Sequence, residues 1–300
     1  MKKSKIRPVL TAGILFTISF CGWAQSLKLA TWNIEWLSLT PSTNIAESQR
    51  SEQDFSALQH HFTNFPPDVL AFQEVDSREA IQRIVGMEYN VLISDRSSKG
   101  NRRYQFNDQN QYTGFAVRQG IAFADPDDLN LTPNNKHKLR FASYVVLYPN
   151  TPQQIHLLSV HLKAGCSGKF RASSTSCKTL KAQGLALNQW LLEKERLNQA
   201  YAILGDFNHN LAYPNDWLWQ VITDGAVQPP QLATQDTAAV CKVRSNKNPQ
   251  RTHQFRSLID HVIVSHSLKA SQTQQITYPS AQILKYRLSD HCPITSVINY

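Results

Sequence analysis

The sequence predicts an α/β protein of the α+β kind, with two mostly antiparallel β-sheets flanked by helices. Two observations point there. Short apolar runs that read as strands recur along the chain, several of them one after another with no helix between. Helical patterns are few, whereas a doubly wound parallel sheet needs a crossover, usually a helix, between its strands. In order, Leu27–Asn33 reads as a strand and Ile45–Phe62 as a polar amphipathic helix. Asp68–Gln73 is a buried strand through Val-Leu-Ala-Phe, and Ser77–Val85 is helical. Asn90–Ser94 and Thr113–Arg118 are strands around a polar insertion, Asp95–Gln111. Phe141–Tyr148 and Gln154–Val160 form a hairpin across Pro149-Asn150-Thr151-Pro152. Thr179–Asn198 is the strongest helix, with Leu180, Leu187, Trp190 and Leu191 recurring on one side. Tyr201–Leu204, Leu258–Val264 and Pro293–Ile298 complete the sheets. No internal repeat or low-complexity linker divides the chain, so 25–300 is expected to form a single domain.

Met1–Ala24 reads as a secretory signal peptide. Lys2, Lys3, Lys5 and Arg7 form its positive start, Val9–Phe20 its apolar centre, and Gly22-Trp23-Ala24 a small-x-small cleavage site. The apolar run is short for a membrane span, and Phe20 before Cys21 is a poor lipoprotein signal. The expected location is therefore periplasmic or extracellular. The formal net charge of +9 falls once this basic leader is removed, leaving a moderate basic bias. Such a bias suits an acidic polymer or an anionic membrane surface and proves neither. The remaining cysteines are Cys166, Cys177, Cys241 and Cys292. An even number in an exported chain suggests disulfides, with three pairings open. Cys166 with Cys177 is favoured because they bracket one polar loop, which leaves Cys241 with Cys292. No two cysteines have the short spacing of a zinc site.

Chemistry-bearing residues recur at the ends of apolar runs. The ordered set is Thr31-Trp32-Asn33-Ile34-Glu35-Trp36, Gln73-Glu74, His161-Leu162-Lys163, Gly205-Asp206-Phe207-Asn208, Ile259-Asp260-His261 and Ser289-Asp290-His291. Carboxylates, amides and imidazoles in this number can hold a hard divalent cation and cut a phosphate ester. The order resembles the endonuclease/exonuclease/phosphatase superfamily from about Leu27 to Tyr300, most specifically at Gly205-Asp206-Phe207-Asn208 and Ser289-Asp290-His291. The pattern is most similar to secreted bacterial deoxyribonuclease-like members. The resemblance implies a four-layer sandwich with the site at one edge of two packed sheets. It does not choose the substrate, because this fold hosts several chemistries.

On that reading Glu74 is a metal ligand, with Asn33 and Asp290 completing the set, and the ion is Mg²⁺ with Ca²⁺ or Mn²⁺ as alternatives. Asp206 and Asn208 sit two apart, so in an extended segment they face the same way. Asp206 would orient the attacking water and the Asn208 amide would meet a phosphate oxygen, as Asn33 would from the first strand. His291 is the general acid or base, with Asp260 holding its imidazole. His161 matches the histidine that in the pancreatic-type nuclease branch faces His291 across the scissile phosphate. By weaker alignment Asp95 is its carboxylate partner, and Tyr112 and Arg140 are phosphate contacts. His60, His61, His137, His156, His209, His253, His261 and His266 read as structural or surface residues. Two basic segments, Lys163–Lys181 and Lys242–Arg256, adjoin predicted site residues, and Lys169 and Arg171 are candidate backbone-phosphate contacts. The expectation is an exported, metal-dependent nuclease on DNA, with RNA a further substrate. It would act as a monomer, with no stable protein partner. The alternatives are a sphingomyelinase-like lipid phosphodiesterase or phosphomonoesterase on the same scaffold, and a non-catalytic binding module.

Overall fold

The computed structural model describes residues 25–132 and 138–300; the leader expected over Met1–Ala24, and His137, lie outside the described residues. The elements run β1 (Ser26–Leu37), α1 (Glu52–Thr63), β2 (Val69–Val75), α2 (Arg78–Val85), β3 (Tyr89–Ile93), β4 (Tyr112–Arg118), β5 (Phe123–Ala124), β6 (Ser143–Leu147), β7 (Ile155–His161) and α3 (Thr175–Arg196). They continue as β8 (Ala200–Asp206), α4 (Trp217–Thr223), β9 (Gln231–Leu232), β10 (Lys242–Arg244), β11 (Thr252–Gln254), β12 (Asp260–Val264), β13 (Lys269–Gln275), α5 (Ser280–Ile283) and β14 (Ile294–Asn299).

One six-stranded sheet has the order β13-β14-β1-β2-β4-β3, and a second has the order β5-β6-β7-β8-β12-β9. Within them only β1 with β2 and β7 with β8 are parallel. Side-chain alternation along each strand decides what each sheet face covers. On β1, Leu27 and Leu29 enter the core between the sheets, while Ala30, Trp32 and Ile34 face α1 and α2. On β8, Ala202 and Leu204 enter the same inter-sheet core, while Tyr201 and Ile203 face α3 and α4. The result is helices, sheet, sheet, helices: the expected four layers.

Local chemistry moved several boundaries. The helix expected from Ile45 begins only at Glu52 because Ser51 is its N-cap, closing a capping box with Asp54. A short 3-10 turn, Ala46–Ser48, precedes it. α3 starts earlier than Thr179, capped by the Ser174 hydroxyl, which accepts from the Cys177 amide. The insertion 95–111 is organised around buried Arg96, which donates to the carbonyls of Tyr104 and Gln111 and to Asn110 Oδ1. β13 carries no apolar alternation, Lys-Ala-Ser-Gln-Thr-Gln-Gln, which is why the sequence concealed it; it forms the sheet edge by pairing with β14. Cys166 is bonded to Cys177 and Cys241 to Cys292.

Candidate active site

Strand register assembles the site. On the second sheet His161 of β7 is paired with Asp206 of β8, and Asp206 with Asp260 of β12, so the strands present them side by side. Gly205 makes this approach feasible: it adopts φ +147, and a Cβ there would lie 2.0 Å from the Val160 carbonyl oxygen of β7. On the first sheet Asn33 of β1 is paired with Gln73 of β2, beside Glu74. Past that pair the register of β1 with β2 shifts, as does that of β2 with β4. Glu35, Trp36 and Glu74 all adopt positive φ there, at 43°, 53° and 59°. Backbone strain of this kind persists where surrounding contacts over-determine it, and it gathers at functional sites. The bulge turns the Trp36 amide to donate to Glu74 Oε2 at 3.3 Å.

The two sheets meet through Asn33. Its Oδ1 accepts from the Glu35 amide at 3.0 Å, and a backbone amide only donates, so the side-chain NH₂ faces the opposite way. That NH₂ donates to Glu74 Oε1 at 3.2 Å and to Asp206 Oδ2 at 3.1 Å. Asn33 therefore orients two carboxylates through its NH₂, while its oxygen meets the Glu35 amide. Asn208 departs from expectation. It lies beyond β8 at φ 52°, so the two-residue spacing of an extended strand is not what brings it to Asp206. An Asx-type turn does so: the Asn208 amide donates to Asp206 Oδ1 at 2.7 Å. Its side-chain NH₂ donates to the Leu162 carbonyl and to Asp206 Oδ2, bracing Asp206.

His291 Nδ1 lies 2.7 Å from Asp260 Oδ2, the expected pairing. The other ring nitrogen is 3.9 Å from Asp206 Oδ2 and 3.8 Å from Asp290 Oδ1. Burial alone disfavours the imidazolium, but Asp260, Asp290 and Asp206 together outweigh it and hold the His291 pKa well above its ordinary value. His161 is its opposite. Its Nε2 is 3.5 Å from both Glu74 Oε1 and Asp206 Oδ2, yet burial, with Arg140 and His291 adding positive charge nearby, holds its pKa well below the usual value. Both imidazoles thus approach one Asp206 oxygen, with their pKa values moved in opposite directions. Burial raises Asp206 to about 7, His291 opposing and Asp260 assisting. Burial also raises Glu74, against the pull of Arg140.

Glu35 has a place that sequence reasoning did not assign, although it stands within the first motif. Its Oε2 accepts from the Asp290 amide at 3.1 Å and lies 3.9 Å from Arg50 Nη2. Burial and the Asp290 charge push it up to about 8. Arg50, also missed, is fully buried at its side chain and donates to the carbonyls of Ile34, Leu288 and Arg287. It ties β1 to the segment carrying His291. The only sequence signal was an arginine just before a helix N-cap.

Arg140 donates to the Leu162 carbonyl, and its Nε has no partner among the described residues. Glu74 and Asp206 feel its charge, so an unpaired donor stands beside both carboxylates. Tyr112 pairs with Val75 across the sheet, next to Glu74, and stacks on Arg96 at 5.1 Å. Asp95 is not the partner of His161: it is exposed, and its Oδ2 accepts from the Asp128 amide at 2.9 Å. His161 Nδ1 is left without a partner among the described residues. Lys169 and Arg171 are exposed on the loop closed by Cys166 and Cys177. Trp217 anchors that loop through the Gly168 carbonyl, as does His209, whose Nδ1 lies 2.9 Å from the Cys166 carbonyl. His261 is structural: its Nε2 accepts from the Leu211 amide and its other nitrogen meets Thr234.

The donor set suits a hard divalent cation. Burial, with the Asp290 charge adding to it, raises both Glu35 and Glu74, and carboxylate oxygens are the ligands such ions prefer. Asp206, Asp260 and His291 also offer ligand atoms within 4.8 Å of one another. Using them together would cost the hydrogen bond between Asp260 and His291.

The sequence profile described as the Endonuclease/Exonuclease/phosphatase family matches residues 30–291. Among solved structures the chain is similar to an endonuclease/exonuclease/phosphatase family protein from Bacteroides thetaiotaomicron, with TM-score 0.60 and 13% identity over 93% of this chain and 99% of that one. It is similar to truncated TDP2 of Caenorhabditis elegans, with TM-score 0.56 and 16% identity over 92% and 98% of the two chains. It is similar also to a mannosyl-6-phosphatase of Bacteroides thetaiotaomicron VPI-5482, with TM-score 0.59 and 14% identity over 91% and 100%. No curated protein matches by sequence. Identities this low speak to the fold alone, but the profile spans most of the chain and both sheets: the chain belongs to the Endonuclease/Exonuclease/phosphatase family.

Proposed function

We propose that this protein is an exported, divalent-metal-dependent phosphodiesterase that hydrolyses nucleic acid, DNA foremost, within a single domain over 25–300. The family supports hydrolysis of a phosphate ester. The observation that carries the reaction is the convergence of His161, His291, Asn33 and Asn208 on the Asp206 carboxylate, with Asp260 behind His291. Asp206, near 7, is matched to accept the proton of an attacking water at neutral pH. His291, whose pKa Asp260, Asp290 and Asp206 raise, would offer its Nε2–H to a phosphoryl oxygen as negative charge develops. Glu74, Glu35 and Asp290 would hold Mg²⁺, with Ca²⁺ or Mn²⁺ as alternatives; the ion supplies Lewis-acid stabilisation of phosphoryl charge. Arg140 offers its unpaired Nε to the same group.

The nucleic-acid assignment rests on the basic segments. Lys169 and Arg171 project from a loop anchored beside Asn208, and the β10–β11 hairpin brings Arg244 to a cleft that Asp290 also lines. Export is supported by the two disulfides. The test is incubation of purified protein with plasmid DNA, with and without chelator, across a salt series. Nicking that needs a divalent cation is expected, with a log–log salt slope of roughly −0.9 per phosphate contact that flattens in Lys169→Ala/Arg171→Ala. Brisk release of phosphate from sugar monoesters, or cleavage of sphingomyelin, with DNA untouched, would overturn the substrate and leave the fold standing.

A further inference from the structure

Beside the candidate site lies a cleft of about 270 Å³, bounded by the β10–β11 hairpin, the α5 turn and the Leu288–Asp290 segment. Its floor is apolar: Val243, Ile283 and Leu288 are all buried. Its rim carries Arg244, Asn246 and Arg287, and Glu35 and Asp290 form the wall toward the site. The volume sits near the lower end of the ~300–1,000 Å³ typical of small-ligand pockets, room for one monomer unit rather than a stretch of polymer. The cleft is preformed. The Cys241–Cys292 disulfide fastens the start of β10 to the residue after His291. Arg244 fastens its end, donating to the carbonyls of Pro249, Leu284 and Tyr286. Arg287 forms no ion pair among the described residues, so its charge is available to an anion.

We propose that this cleft is the subsite for the nucleotide unit adjoining the scissile phosphate. The base would lie on the Val243–Ile283–Leu288 floor, the Asn246 amide would meet its polar edge, and Arg287 would meet the neighbouring phosphate. The assignment rests on the nuclease reading and adds where the substrate is recognised. An apolar floor suits the flat face of a base, an amide can both donate to and accept from a base edge, and a guanidinium suits phosphate geometry. A lipid headgroup phosphodiester would leave the floor uncovered.

The test is direct binding of a fluorescently labelled single-stranded hexanucleotide in EDTA, by anisotropy, followed by cleavage kinetics in Mg²⁺. Arg287→Ala removes the cation, and Asn246→Trp fills the cleft from an exposed rim position that folding tolerates. Each should weaken binding about tenfold, a shift well resolved by titration. Each should raise KM for the oligonucleotide by a similar factor, and for bis(4-nitrophenyl) phosphate by far less. Unaltered binding, or equal losses on both substrates, would overturn the subsite alone. Competition by a hexose phosphate but not by a nucleoside monophosphate would overturn the nucleotide assignment. A wild-type protein that cleaves the small diester but no oligonucleotide would overturn the nuclease reading and the subsite together.

Discussion

At the scale of single residues, the site works by division of labour among groups of the same type. His161 and His291 approach the same oxygen of Asp206, yet burial and positive neighbours lower the pKa of one while Asp260, Asp290 and Asp206 raise that of the other. Asp206 carries the most contacts of any carboxylate there. Asp206→Ala is expected to leave a folded protein with activity lowered at least ~10²–10³-fold, read from kcat on a small diester with the circular dichroism unchanged. Near-wild-type turnover would remove Asp206 from the reaction. Asp260 and His291 share a 2.7 Å hydrogen bond, so their losses should not multiply. Asp260→Asn should remove most of what His291→Ala removes, and the double variant should be little worse than either. A cleanly multiplicative double variant would show that the two act separately.

At the scale of elements, the parallel β7–β8 pair is the critical contact. It places His161 beside Asp206 and requires glycine at 205, where any Cβ would run into the Val160 carbonyl. Gly205→Ala should lower the melting temperature by roughly 5 °C or more, from strain of about 2–4 kcal/mol. An unchanged melting temperature would mean that β7 yields without cost. The Cys241–Cys292 bond ties the β10–β11 hairpin to the segment that carries His291, just before β14. Its removal as Cys241→Ala/Cys292→Ala should destabilise by about 2–4 kcal/mol, measured by urea unfolding. No shift in the midpoint would show that the hairpin is held by Arg244 alone.

For the whole molecule, pH also acts on stability through the buried imidazole of His61. His61 packs among Trp32, Phe65 and Tyr278, and burial lowers it to about 4. The unfolded chain has an ordinary histidine near 6.5 and so binds more protons between about 4 and 6.5. The stability tied to a neutral His61 is thus present above 6.5 and lost as pH falls toward 4. His61→Phe keeps the packing and removes the titration. Its melting temperature relative to wild type should rise steadily as pH drops from 6.5 to 4. A constant difference across that range would show that His61 does not titrate on unfolding.

Apolar runs in the sequence indicated two mostly antiparallel sheets, the family resemblance implied their four-layer stacking, and the strand ends carried His161, Asp206, Asp260 and His291, which the fold brings together. Period-two alternation fixes which face of β1 and β8 each residue takes, and the polar residues at strand ends stood out because apolar runs stop there. What depended on backbone geometry was not legible. The bulges after Asn33 and Phe72 put Glu35 and Glu74 at positive φ, and a bulge leaves no mark in a run of ordinary residues. The direction of the Asn33 amide was decided by one backbone N–H, and Asn208 reaches Asp206 by a turn rather than by strand spacing. Asp95 shows the same limit, since position along the chain matched a partner for His161 while the folded loop gave its carboxylate to Asp128. The sequence names which groups are present; their charge states and what each one points at arise from neighbours distant in sequence, which only the packed sheets bring together.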